Sequence, residues 1–364
     1  MTLREDPCGC PDETPTAAPR ATAGDTPPCA CPGRSHRGRA WAELLRLPAL
    51  FSVPGDALAG AAATGASPNT RTLLAIASSL CLYEAGMALN DWADRDVDAV
   101  ERPHRPLPSG RIRPAAALTA ACALTGAGLA LAAGAGRPAL AVAAPLAATV
   151  WAYDLGLKHT PAGPVAMGTA RGLDLLLGAA ATSGSTRPAL PSAALLGTHT
   201  LAVTTVSRQE AQGGSPVPPL AALATTALLT RLVTRRGSGG PTRGRRLATG
   251  HRPATGHRPA TGHRLATGHR PAALRADRFP GQDSGALLTT ALTAAYAATT
   301  ARPYFHATLN SSPPLTQRAV GAGIRATIPL QAALTARSRS TATALLIAAL
   351  APLGARFAKK VSVT

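Results

Sequence analysis

The chain has 364 residues and a formal net charge of +19, yet only 15% of it is charged while 46% is hydrophobic. That balance is too poor in charge for an ordinary soluble domain and too apolar for a disordered one. Nearly all the positive charge is arginine, since lysine occurs only at Lys158, Lys359 and Lys360, and no aromatic residues interleave with it to make a nucleic-acid stacking platform.

Residues 1–38 are rich in proline and lack a helical period, so they read as a disordered tail without the apolar core of a secretory signal. Cys8, Cys10, Cys29 and Cys31 form two C-x-C pairs there, a spacing and setting that fit a structural zinc site poorly. From residue 39 onward apolar segments recur at about 44–66, 72–89, 114–134, 138–156, 163–184, 189–206, 217–234, 284–300 and 318–356, the last long enough for two helices. Several reach the roughly 20 residues that cross about 30 Å of hydrocarbon. Backbone groups in a bilayer must be satisfied within the segment, so these are helices, and their Ala and Gly content lets them approach closely. The expected fold is all-α, an integral membrane bundle over residues 39–364. A hexapeptide repeat around "RPATGH" interrupts it at 235–278 as a disordered loop.

The second apolar segment runs into "LNDWADRDVDAVERPHRPLPSG", residues 89–110. A helix continuing as far as Pro103 places Asp91, Asp94 and Asp98 on one face, with Asn90 one turn before Asp94. Stacked carboxylates repel each other, and a cation is the simplest reason to keep them together. Oxygen-only ligands suit magnesium, which is held by one or two carboxylates plus substrate phosphates. Arg102, His104, Arg105 and Arg111 follow in a proline-rich loop, where they are placed to contact phosphate oxygens. A solvated helix end neutralised by Arg95 and Arg102 is the alternative.

The order Asn90-Asp91-x-x-Asp94-x-x-x-Asp98, then Arg102, then "RPLPSG" from Arg105 to Gly110, closely resembles the first aspartate-rich motif of the UbiA superfamily of intramembrane prenyltransferases. The resemblance covers roughly residues 40–360 apart from the repeat. It implies a bundle of about nine transmembrane helices around a central cavity. It also implies magnesium held by Asp91, Asp94 and Asp98 with Asn90 in support, and transfer of an isoprenoid group from a prenyl diphosphate to a lipid or aromatic acceptor. Lys158 in "YDLGLKHT" sits where such proteins often place a Tyr and a Lys, and would meet the diphosphate as a point charge; a basic residue at a cytoplasmic helix end is the competing account. Arg171 and Asp174, one turn apart in "MGTARGLDLLLG", are costly at membrane depth and read either as a structural ion pair or as a substrate-orienting one. Asp56 and Glu84 are similar, weaker cases.

The second aspartate-rich motif of such enzymes is matched here only by "TTVSRQEAQGG", where Glu210 is the one acid and Arg208 is basic and placed to contact diphosphate directly. This mixture, with "RLPALFSVPGD" and "FAKKVSVT", looks most like the EboC-like actinobacterial and cyanobacterial branch of the superfamily. The expected protein is a magnesium-dependent prenyltransferase of a bacterial plasma membrane. The alternative is a UbiA-like membrane protein that binds or translocates a precursor without transfer chemistry.

Overall fold

In the computed structural model, which describes residues 34–210, 213–235 and 281–361, every regular element is helical. The tail cysteines and the hexapeptide repeat lie outside the described residues. In chain order the α-helices are α1 (Arg34–Leu44), α2 (Val53–Ala63), α3 (Thr70–Ala93), α4 (Arg95–Glu101), α5 (Pro114–Ala135) and α6 (Arg137–Leu155). Then come α7 (Gly163–Ser183), α8 (Leu190–Ser207), α9 (Val217–Thr234), α10 (Gly281–Leu309), α11 (Pro313–Arg337) and α12 (Thr341–Val361). Short 3-10 turns at Leu47–Ser52, Leu157–His159 and Arg187–Ala189 join some of them.

The expected apolar segments and these helices agree closely, and the last segment is indeed two helices, α11 and α12. The described residues hold twelve α-helices: the apolar segments, the last of them divided in two, together with α1 and the short α4. Among the described residues five helical stretches are long and apolar enough to cross a membrane: α3, α5, α6, α9, and α8 together with the turn before it. The others fall short for visible reasons. Helix α7 carries Arg171 and Asp174, α10 is rich in Thr, and α11 carries Arg318 and Arg325.

Local sequence sets the ends. The Asn69 side chain accepts from the backbone N–H groups of Arg71 and Thr72 while Thr72 Oγ1 accepts from Asn69 N at 3.0 Å, a reciprocal cap that starts α3. Pro114 and Pro164 open α5 and α7 where no amide donor is needed. Gly184, at φ 76°, closes α7 in the left-handed conformation.

Helix α7 lies against α2, α6 and α8. Its close packing depends on missing side chains: a Cβ on Gly60 would meet the backbone of Leu175 and Ala179, and one on Gly178 would meet the backbone of Ala57. With α2 held that near, Asp56 reaches Arg171. Large apolar side chains such as Leu73, Leu140 and Leu228 point outward from spanning helices, where a bilayer is the solvent. On the far side of the bundle His199 of α8 bridges two neighbours, with Nε2 3.0 Å from the Gly323 carbonyl of α11 and Nδ1 3.2 Å from the Tyr296 hydroxyl of α10. A carbonyl only accepts, so Nε2 carries the proton and Nδ1 accepts from Tyr296.

Candidate functional site

The C-terminal half of α3, the loop after α4, the C-terminal half of α6, the first half of α7 and the end of α8 surround a cavity of about 560 Å³. Its mouth is charged, its middle apolar, and its inner end brings polar and charged groups in among two leucines.

At the mouth the carboxylates are met one by one by cations. Asp91 Oδ1 lies 3.3 Å from Arg46 and 3.5 Å from Arg105. Asp98 accepts from Arg105 at 2.6 Å and faces Arg102 at 3.7 Å. Asp94 Oδ1 lies 2.5 Å from Lys158 Nζ, a close ion pair that leaves the buried ammonium's other donors without a partner. The expectation of three aspartates on one continuous helical face is corrected here. The backbone turns at Asp94 (φ −89°, ψ 1°), where α3 ends and α4 begins. That bend sends Asp94 toward Lys158 while Asp91 and Asp98 share Arg105, so Asp94 lines the cavity and the other two stand behind the arginines.

Two residues of the mouth were not singled out in the sequence. Asp154, at the end of α6, lines the cavity and accepts a 3.2 Å hydrogen bond from the Asn90 amide. Arg46 lines it too, from a left-handed backbone (φ 48°, ψ 46°) that is rare for a residue with a side chain. Strain of that kind persists where the surroundings fix it, and it is a recurrent feature of functional sites.

The remaining candidates divide. Arg102, Arg105 and Glu210 reach the cavity. Burial pushes the Glu210 carboxyl above its ordinary range, and nearby Arg102 partly offsets this. Arg208 is not among the lining residues; its guanidinium turns to the carbonyls of His159 and Thr160 and ties the segment after α6 to the end of α8. The diphosphate contact expected of Arg208 would require its guanidinium to leave those carbonyls. Arg111 is likewise committed elsewhere, with two hydrogen bonds of 2.7 and 3.1 Å to Glu43 and one of 2.6 Å to the His104 carbonyl.

Below the mouth the walls are made by Gly86 and Met87 of α3, Val150 of α6, and Met167 and Ala170 of α7. Deeper still are Ser79, Tyr83, Arg171 and Asp174, with Leu82 and Leu146 beside them. Arg171 and Asp174 do not pair as one-turn neighbours. Arg171 Nε lies 3.1 Å from Asp56 Oδ2, and Asp174 accepts from Ser79 Oγ at 2.5 Å. Asp56 is fully buried and accepts from the Gln331 amide at 2.6 Å. Glu84 lies outside the cavity, buried, with neither carboxylate oxygen hydrogen-bonded.

Among the described residues no three His, Cys, Asp or Glu side chains are grouped closely enough to hold a metal unaided. Asn90, Asp94 and Asp154 nonetheless offer hard oxygen donors beside unused cationic donors, which suits a magnesium ion that arrives with phosphate and takes only one or two carboxylates from the protein.

The chain is similar to known proteins in sequence and in fold. Over 128 residues it is 36% identical to digeranylgeranylglyceryl phosphate synthase of Methanopyrus kandleri, covering 34% of this chain and 45% of that protein. Over 109 residues it is 32% identical to chloroplastic chlorophyll synthase of Arabidopsis thaliana, covering 28% of each. The chain thus spans less than half the length of these curated relatives. Its fold matches that of a UbiA homolog from Archaeoglobus fulgidus bound to DMAPP and Mg2+, with a TM-score of 0.51 and 17% identity over 83% of this chain and 98% of that one. The model of the UbiA prenyltransferase family matches residues 50–234, which include every lining residue of the cavity except Arg46. With half of the sequence matched and the helical bundle in common, this multi-pass membrane protein belongs to the UbiA prenyltransferase family.

Proposed function

We propose that this protein is a magnesium-dependent prenyltransferase that takes its isoprenoid group from a prenyl diphosphate. One observation carries the proposal: carboxylates and cations interleave at the mouth of a single cavity whose walls below are apolar. The curated relatives are named as synthases of prenylated lipids and of chlorophyll, which supports the same reading.

A magnesium diphosphate has the same alternation of charge as the mouth, and it exchanges partners with it. Phosphate oxygens take over Arg46, Arg102, Arg105 and the unused donors of Lys158. Asp94 and Asp154 on the cavity wall, with Asn90 beside them, would hold the metal together with phosphate oxygens, and Asp91 and Asp98, freed from those arginines, would support it. Magnesium, when bound, neutralises the diphosphate and so stabilises it as a leaving group. Gly86, Met87, Val150, Met167 and Ala170 bind the tail and keep water from the carbon that loses the diphosphate. Lys158, with its side chain only 9% exposed, supplies a positive charge little screened by solvent where negative charge develops. The nine-helix arrangement, the EboC-like branch and a bacterial plasma membrane belong to the same proposal. The acceptor is a lipid or aromatic molecule.

The test is binding of dimethylallyl diphosphate to purified protein in nanodiscs, with and without magnesium. Asp94→Ala and Lys158→Ala are each expected to weaken magnesium-dependent binding by about tenfold or more, from loss of charge-assisted contacts. Arg111→Ala, which removes contacts to Glu43, Ser109 and the His104 carbonyl and none to the cavity, leaves it unaltered. Unchanged binding in both of the first two variants refutes the assignment. A second reading, binding without transfer, is favoured by Arg208 facing away from the cavity and leaving Glu210 as the one charged side chain of that stretch on its wall. Release of diphosphate with a labelled lipid product, on incubation with host membranes, distinguishes transfer from carriage.

A further inference from the structure

The inner end of the cavity has no partner in the proposed chemistry at the mouth. Arg171 is buried to within 16% of its side-chain surface, and its one ion-pair contact uses Nε, which leaves both terminal amino groups of the guanidinium without a hydrogen bond among the described residues. Tyr83, which also lines the cavity, makes no hydrogen bond there either. These groups are held rather than loose. Asp56 anchors Arg171, Gln331 anchors Asp56 at 2.6 Å while donating to the Ser52 carbonyl at 2.8 Å, and Ser79 anchors Asp174. The polar end is a fixed floor made by α2, α3, α7 and α11.

The helices provide a ruler for the space above it. On α3, Asn90 at the mouth and Tyr83 at the floor are two turns apart, about 10 Å at about 1.5 Å per residue. On α7, Arg171 lies about 12 Å below the start of the helix at Gly163 by the same rise. The lining between, Met87, Gly86, Val150, Met167 and Ala170, is apolar. An extended isoprene unit spans four carbon–carbon bonds of about 1.5 Å each, or about 5 Å along the chain after the zigzag. The apolar stretch therefore holds about two such units.

We infer that the floor formed by Arg171, Asp174 and Tyr83 limits the donor to a short-chain allylic diphosphate of dimethylallyl or geranyl size. The inference rests on the proposed binding of diphosphate at the mouth. Each added isoprene unit gains affinity while it covers apolar wall. A longer tail must lie against guanidinium and carboxylate groups that then lose water with nothing to replace it, and the gain reverses. The digeranylgeranylglyceryl phosphate synthases that the chain resembles are named for a longer group, so the floor separates this chain from what their names alone would suggest.

The experiment is a binding series on the full chain in nanodiscs with magnesium, using inorganic diphosphate and the dimethylallyl, geranyl, farnesyl and geranylgeranyl diphosphates. Affinity is expected to rise from dimethylallyl to geranyl and then fall by about tenfold or more for geranylgeranyl, the scale set by capping unpaired polar groups with hydrocarbon. Met167→Trp, which narrows the wall one turn above Arg171, is expected to weaken geranyl binding by a similar factor and dimethylallyl binding by clearly less. The triple variant Asp56→Leu, Arg171→Met, Asp174→Leu removes every charge of the floor together and is expected to admit geranylgeranyl diphosphate. If that variant does not fold, the native series and Met167→Trp decide the matter alone. Geranylgeranyl diphosphate binding native protein as tightly as geranyl diphosphate overturns the floor and leaves the diphosphate site standing. Failure of every diphosphate to bind overturns both.

Discussion

Asp56→Ala removes one partner from a pair inside the bundle, and its cost follows from the geometry. Asp56 is fully buried, Arg171 is nearly so, and the charged groups are 3.1 Å apart. At an effective dielectric of about 20 their attraction is about 5 kcal/mol, and removing one partner of a buried pair costs about 3–5 kcal/mol because the other charge stays behind. Gln331 loses its 2.6 Å acceptor as well, although it keeps the Ser52 carbonyl. A loss of about 4 kcal/mol is expected for Asp56→Ala. The double variant Asp56→Leu, Arg171→Met replaces the pair by apolar side chains and should return to within about 1 kcal/mol of native protein, since buried pairs and apolar replacements come out nearly even. The assay is reversible unfolding in mixed micelles followed by tryptophan fluorescence. A loss below about 1 kcal/mol in the single variant, or a double variant as unstable as the single one, refutes the view that Asp56 anchors Arg171.

Gly60→Ala and Gly178→Ala each put a methyl group into the backbone of the facing helix, and each should cost about 1–3 kcal/mol or more in the same assay. Gly126→Ala, with no neighbouring atom within 4 Å of the new carbon, should instead be neutral or stabilise α5 by up to about 1 kcal/mol through helix propensity. Arg105→Lys keeps the charge but loses the planar guanidinium, whose Nη1 meets both Asp91 and Asp98 and whose other donors suit a phosphate. Affinity for dimethylallyl diphosphate with magnesium is expected to fall by about tenfold, and full retention would show that Arg105 acts as a simple point charge.

Much of the helical pattern was legible in the sequence, because length and continuous apolarity report bilayer crossing directly. The ends of α5, α6 and α9 fall within a residue or two of the apolar segments, since Pro114, Gly136 and Pro218 punctuate the chain there. The acidic stretch was legible as a cation-binding sequence, but its shape was not. A regular period carries no sign of the turn at Asp94, and that turn decides which aspartate faces Lys158. Arg46 and Asp154 were missed for different reasons. Arg46 reaches the cavity through a left-handed backbone that no neighbouring glycine advertises, and Asp154 earns its place through a contact with Asn90, a residue 64 positions away. Arg171 and Asp174 drew notice as charges in apolar sequence, yet their partners, Asp56 and Ser79, come from other helices.

The pairs at the mouth differ in how readily they can be exchanged, and that difference orders the site. Arg46 and Arg102 have 43% and 50% of their side chains exposed, so water competes for them and each pair is worth about 0–1 kcal/mol. Releasing them to phosphate costs little. Lys158 and Arg105 are more enclosed, at 9% and 21%, and for them a phosphate must replace the carboxylate closely or leave a charge stranded. The outer arginines are thus suited to capture a diphosphate and the inner pair to discriminate its geometry. The same carboxylates that would repel one another on a bare helix end are kept together by these cations until a metal arrives to take over that role.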